Sequence, residues 1–178
     1  LDYTRGLSVG SSDEDDLGPV INQRQLDNMV ASVARAKAAG ATVLIGGDRM
    51  SDDRHRDGFY MQPTLIEGVA GDAEISQAEL FGPIACLYRV DDFGAAVRLA
   101  NLSPFGLTAA IHTSNVDRAM TFLGRIRSGV ASINGATYGS EPHMPFGGLR
   151  QSGTGWREAG TEALDVYSDW KTVYIHHD

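Results

Sequence analysis

IACLYRVDDFGAAVRLANLSPFGLTAAIHTSNVDRAMTFLGRIRSGVASIN, residues 84–134, sets short apolar runs between helical stretches, and that alternation decides the fold class. Ile84 to Val90 is short and nearly all apolar or aromatic, so it reads as a buried strand. Asp92 can accept from the free N–H groups opening a helix whose apolar face is Phe93, Ala96, Val97 and Ala100. Asn101 ends that helix before the turn Pro104-Phe105-Gly106, and Leu107 to His112 is the next strand. Asn115 caps a further helix with Ala119, Met120 and Leu123 facing inward; Gly129 closes it ahead of the strand Val130 to Asn134. Helical crossovers between short apolar strands build a parallel sheet covered on both faces, with ligands near the carboxyl ends of the strands. Site residues are therefore expected in loops that follow strands.

Upstream, Asn22 and Gln25 have capping-box spacing, Leu26, Met29, Val30 and Val33 follow the helical period, and Gly40 suits a left-handed stop. A strand over Thr42 to Ile45 follows. After a polar loop from Met50 to Gly58 comes Phe59 to Ile66, where Pro63 argues for an edge or an extended crossing rather than a central strand.

At 178 residues, 42% hydrophobic and 21% charged, the chain can bury one sizeable core, so one domain is expected. The net charge of −8 argues against nucleic acid or an anionic membrane as the main partner, and the acidic run Ser11-Ser12-Asp13-Glu14-Asp15-Asp16 reads as a solvated loop. One Cys excludes an internal disulfide framework, and no apolar stretch has the length of a membrane span or signal sequence, which points to the cytosol. The start at Leu1-Asp2-Tyr3, without Met, reads as that of a fragment.

Pro145 to Gly160, PFGGLRQSGTGWREAG, holds five Gly in sixteen residues, too many for a packed helix or central strand, so something must approach this backbone closely. A second constellation is Glu79-Leu80-Phe81-Gly82-Pro83. Its carboxylate can bind two hydroxyl donors of a diol while Phe81 supplies an apolar wall; a solvated Glu and a core-covering Phe is the plainer alternative. The loop Gly135 to Met144 combines small residues with Tyr138 and His143 and suits a substrate entrance.

Taken together, E-L-F-G-P at 79–83, the Pro145–Gly160 segment and the ending Tyr167-x-x-x-Lys171-Thr172-Val173-Tyr174 resemble the NAD(P)-dependent aldehyde dehydrogenase superfamily, in the C-terminal part of its catalytic domain. Further landmarks come in order: Gly18-Pro19-Val20-Ile21, Gly58-Phe59-Tyr60 through Pro63-Thr64, Ala100-Asn101 through Phe105-Gly106-Leu107, and Gly129-Val130 through Asn134. The resemblance implies a three-layer α/β/α fold with a mostly parallel sheet over residues 1–170, and a C-terminal oligomerisation strand in 171–178, Thr172 to His176, as part of the same structural unit. It makes Glu79 and Phe81 the cofactor-binding residues for NAD or NADP, with Glu79 on the nicotinamide ribose. It places Asn134, Tyr138 and Phe146 at the substrate, an aldehyde. For Phe146 a core anchor holding the glycine turn is an equal reading, and for Asn134 a bond to its own loop backbone.

Other groups are excluded. Gly153-Thr154-Gly155 lacks the third Gly of a dinucleotide fingerprint, since Glu158 stands there. Cys86, the only thiol, sits in an apolar run where Cys behaves as a small hydrophobe. No metal is expected: His55, His112 and His143 are isolated, and the adjacent His176 and His177 would point to opposite faces of a strand. By the resemblance, the nucleophilic Cys, general-base Glu, oxyanion-stabilising Asn and Rossmann-like domain all precede this chain. The expectation is then the C-terminal portion of an enzyme oxidising an aldehyde, with a carboxylate-bearing semialdehyde admitted by the loop around Tyr138 and Ser140 with Arg150 nearby in sequence, inactive alone and a homodimer or homotetramer when joined to its N-terminal portion. The competing class is a non-catalytic structural or oligomerisation module, and a third, a small nucleotide-binding regulator, lacks the fingerprint.

Overall fold

A computed structural model describes residues 1–177, which form two compact units, Leu1–Asp91 and Asp92–Asp178 less its last residue. The first contains α1 (Asp2–Arg5), α2 (Gln23–Ala38), β1 (Thr42–Ile45), β2 (Thr64–Glu67), α3 (Glu74–Gln77) and β3 (Ile84–Leu87). The second contains α4 (Phe93–Ala100), β4 (Thr108–Ile111), α5 (Val116–Arg125), β5 (Val130–Ile133), a 3-10 turn (Arg150–Ser152) and α6 (Ala163–Val166).

In the first unit the strands run β1-β2-β3, with β1 antiparallel and β3 parallel to β2. The amphipathic stripe of α2 drives its core: Leu26, Met29, Val33 and Ala36 are buried with Val20, Met61, Ile66 and Ile75. Asn22 Oδ1 accepts the Gln25 N–H at 2.9 Å, and Gly40 has φ +100°, so the cap and the stop both form as read. Arg35 at the end of α2 pairs with Glu74 of α3 through two nitrogens, at 2.8 and 2.5 Å.

Three expectations are corrected here. β2 is the central strand, because Pro63 stands just before it and its missing N–H costs no ladder bond; the Thr64 N–H instead donates to the Pro83 carbonyl at 2.8 Å. β3 alternates half-buried Ile84 and Cys86 with exposed Ala85 and Leu87, the pattern of an edge strand covered on one face. The acidic run is a loop but not a freely solvated one: Asp16 accepts from the Ser8 N–H and hydroxyl, and Arg54 grips both oxygens of Asp15 at 2.6 Å.

In the second unit, Asp92 and Asn115 cap α4 and α5 as expected, accepting from Ala95 N–H at 2.7 Å and Arg118 N–H at 2.8 Å. β4 and β5 pair in parallel through the α5 crossover. They form a two-stranded sheet within this unit. On α5 the buried residues are Ala119 and Phe122, whereas Met120 and Leu123 are exposed; their helical period selected the wrong face. Thr172 to His176 carry no ladder partner, and Asp178, the last residue of the expected 171–178 strand, lies outside the described residues.

Backbone contact substitutes for a thick core in this unit. The Gly106 carbonyl accepts from both Gly129 and Leu149 N–H at 2.9 Å, and a Cβ at Gly129 would lie 1.7 Å from the Gly147 carbonyl oxygen. The partner that approaches the glycine-rich segment is thus the chain itself. A Cβ at Gly124, in contrast, would meet nothing within 4 Å. Gly129→Ala should therefore destabilise the chain by about 1–3 kcal/mol or more, whereas Gly124→Ala should stabilise it by about 0.5–1 kcal/mol, both read from urea unfolding midpoints. Equal effects at the two positions would contradict the close approach.

Candidate functional site

The turn 79–83 is held from beneath by α2. A Cβ at Gly82 would lie 2.0 Å from Met29 Sδ, so a larger residue there would force the buried Met29 side chain to shift. Gln25 Nε2 donates to the Leu80 carbonyl at 2.5 Å. Gln25 therefore gives its backbone N–H to the Asn22 cap and its side chain to the turn, which replaces the second half of a capping box. Sequence reading missed this tie, since no local signal links residues 55 apart.

Between these anchors Phe81 takes φ +51°, a left-handed conformation unusual for an aromatic residue and one found where a surrounding structure imposes it. The residue is 75% exposed. Glu79 is exposed and makes no hydrogen bond or ion pair among the described residues. The two lie on one cleft of about 450 Å³, whose other walls include Ser76, Ile84, Cys86 and Tyr88. Carboxylate and ring are thus brought together with their binding capacity unspent, as a diol beside a flat ring or sugar requires.

Cys86 lines that cleft as well. Burial pushes its thiol up, only partly offset by the Tyr88 hydroxyl, the opposite of what a nucleophile needs. Burial likewise raises Tyr88, whose hydroxyl meets Ser76 Oγ at 2.5 Å.

Asn134, Tyr138 and Phe146 lie in the second unit, and no hydrogen bond joins them among the described residues. Asn134, at φ +56°, accepts the Thr113 N–H at 2.8 Å and donates Nδ2 to the Thr113 carbonyl at 3.0 Å. Its amide thus locks the ends of β4 and β5, the plainer of the two readings for it. Tyr138 is 87% exposed on the loop that follows β5. Phe146 is half-buried and exchanges two backbone hydrogen bonds of 2.8 Å with Glu158, which anchors the glycine segment. Arg150, at φ +54°, donates Nη1 to the Asn101 carbonyl at 2.8 Å and to that of Ser103. Its guanidinium braces a loop through Nη1. Among the described residues no cluster of three or more His, Cys, Asp or Glu could hold a metal, and no helix is long and apolar enough to cross a membrane.

The aldehyde dehydrogenase family model matches residues 1–173. The chain is 36% identical over 177 residues to the alpha-ketoglutaric semialdehyde dehydrogenase of Bacillus subtilis, covering 98% of the chain and 36% of that relative. It is 35% identical over 176 residues to the 2,5-dioxopentanoate dehydrogenase of Saccharolobus solfataricus, with the same two coverages. Among solved structures, betaine aldehyde dehydrogenase of Staphylococcus aureus in complex with NAD+ superposes with a TM-score of 0.88 at 31% identity, over 94% of this chain and 33% of that one. The chain spans about a third of the length of the relatives it matches.

Two outcomes follow from the site geometry. At pH 7, iodoacetamide should label Cys86 more slowly than a free model thiol; labelling at or above the model rate would contradict a raised thiol. Arg150→Ala should lower the urea midpoint, because the Asn101 and Ser103 carbonyls both lose their Nη1 donor, and an unchanged midpoint would contradict the brace.

Proposed function

Because the chain belongs to the aldehyde dehydrogenase family, we propose that it contributes part of an enzyme that oxidises an aldehyde to its carboxylic acid with NAD or NADP. The observation that carries this reading is the turn 79–83, where Glu79 and Phe81 share one cleft and neither side chain is used internally. Glu79 would accept from the two hydroxyls of the nicotinamide ribose, and Phe81 would wall the sugar and limit its tilt. Bound there, the cofactor supplies the hydride acceptor. Gln25 and Met29 do not touch the reaction in this reading; they hold the turn so that the carboxylate meets the diol without reorganising.

We read the chain as the C-terminal third of such an enzyme, on the order of its motifs and the one-third span of its relatives. The nucleophilic thiol and the base then come from elsewhere in the protein, in keeping with the raised Cys86 thiol, and this chain alone is inactive. Tyr138 and Phe146 would contact the aldehyde. The three-layer arrangement, a cytosolic location and a homodimeric or homotetrameric state belong to the same proposal. Val173, Tyr174 and Ile175 are exposed and unpaired, as suits a strand completed by another subunit. A semialdehyde bearing a carboxylate is the proposed substrate class, on the activities of the two relatives and not on Arg150.

In the enzyme expressed from its complete reading frame, Glu79→Gln should lower kcat/KM for the nicotinamide cofactor by about 10–100-fold, the loss of charge-assisted bonds to two hydroxyls, with little change in the KM for aldehyde. An unchanged kcat/KM for cofactor would remove Glu79 from the site. A preference for long alkyl aldehydes over semialdehydes would overturn the substrate assignment.

A further inference from the structure

His55 is only 6% exposed, and oxygen acceptors face both of its ring nitrogens. Nδ1 lies 2.8 and 2.7 Å from the two carboxylate oxygens of Asp52, and Nε2 lies 2.8 Å from the Val9 carbonyl. A neutral imidazole has one N–H and one lone pair, so either neutral tautomer would press a lone pair against an oxygen at hydrogen-bond distance in a buried site. Only the imidazolium satisfies both contacts.

The two acceptors come from different loops. Asp52 belongs to the same turn as His55, while Val9 belongs to the loop 8–17, closed on itself by the Gly10 N–H to Leu17 carbonyl and Leu17 N–H to Ser8 carbonyl bonds at 2.9 and 3.1 Å. That loop leads through buried Val20, whose N–H donates to the Phe59 carbonyl at 2.7 Å, directly into the cap of α2. From these observations we infer that His55 is a proton-operated latch: as an imidazolium it holds the loop 8–17 on the turn 52–58 beside the Arg54–Asp15 pair, and loss of one ring proton weakens that hold.

The surrounding groups agree with this. Tyr60 meets the ring edge-on at 5.0 Å. The charged groups facing His55 are Asp52 from its own turn, Asp15 from the loop 8–17, and Arg54, which opposes the imidazolium but is itself held by Asp15. The Val9 carbonyl and then Asp52 raise His55 above its ordinary value, against burial and Arg54. Asp52 is lowered, chiefly by His55, and Asp15 chiefly by the Ser12 N–H, so both stay ionised while His55 titrates. A folded value above the unfolded one, about 6.5, means that the latch is fully effective below that pH and is lost as pH rises through the folded value.

The test is NMR on this chain from pH 5.5 to 9, following the His55 ring nitrogens together with the amide-exchange protection of Gly10 and Leu17, corrected for intrinsic exchange. His55 should titrate above about 6.5, and protection at Gly10 and Leu17 should fall about tenfold or more across that titration while amides in the middle of α2 keep theirs. His55→Gln should abolish the pH step. Asp52→Asn, which keeps the ring and removes its carboxylate, should move the step to lower pH, so a Gln variant that fails to fold does not decide the matter. Titration of His55 at or below about 6.5, or loop protection that ignores its titration, overturns the latch.

Discussion

The closest approach in the first unit is that of Met29 to Gly82, where a single added Cβ would lie 2.0 Å from the sulfur. That contact seats the 79–83 turn on α2. Burial of the α2 stripe fixes the helix on the sheet, the helix fixes Met29, and Met29 sets how deep the 79–83 turn can sit. With Gln25 holding the Leu80 carbonyl from the same helix, the turn has two anchors on one rigid element. Phe81 is then held in a left-handed backbone that exposes its ring beside Glu79. Preorganisation of this kind places polar groups where a ligand will be and leaves them unspent until it arrives.

The second unit uses the same device without a helix. Gly129 and Gly147 bring two backbone segments into contact, and the Gly106 carbonyl holds both Gly129 and Leu149. Arg150 braces the loop before β4 with its side chain, and Asn134 ties the opposite ends of β4 and β5. Polar side chains that stand out in the sequence as ligands for substrate are here engaged by backbone. The exposed Tyr138 keeps its hydroxyl free for other uses.

Local chemistry was legible in the sequence. Asn22, Asp92 and Asn115 cap helices as their side chains dictate, and β1, β4 and β5 fall within a residue or two of their apolar runs. The glycine segment correctly signalled close approach. What escaped was non-local. Which face of α5 is buried and that Gln25 reaches Leu80 both depend on packing between segments far apart in sequence. Pro63 misled because the rule against proline applies to ladder positions, and the ladder begins one residue later. The Glu79–Phe81 pair was found because carboxylate and aromatic lie in one rigid turn, while Asn134 and Arg150 were drawn into backbone bonds that composition does not reveal.

The central claim is that the turn 79–83 is a ribose clamp poised by α2. A crystal structure of the protein from its complete reading frame with NAD bound tests it most directly. Both Glu79 carboxylate oxygens should lie within hydrogen-bond distance of the nicotinamide ribose hydroxyls, with the Phe81 ring against the sugar and Gly82 still seated on Met29. A ribose bound elsewhere, with Glu79 left in solvent, would contradict it.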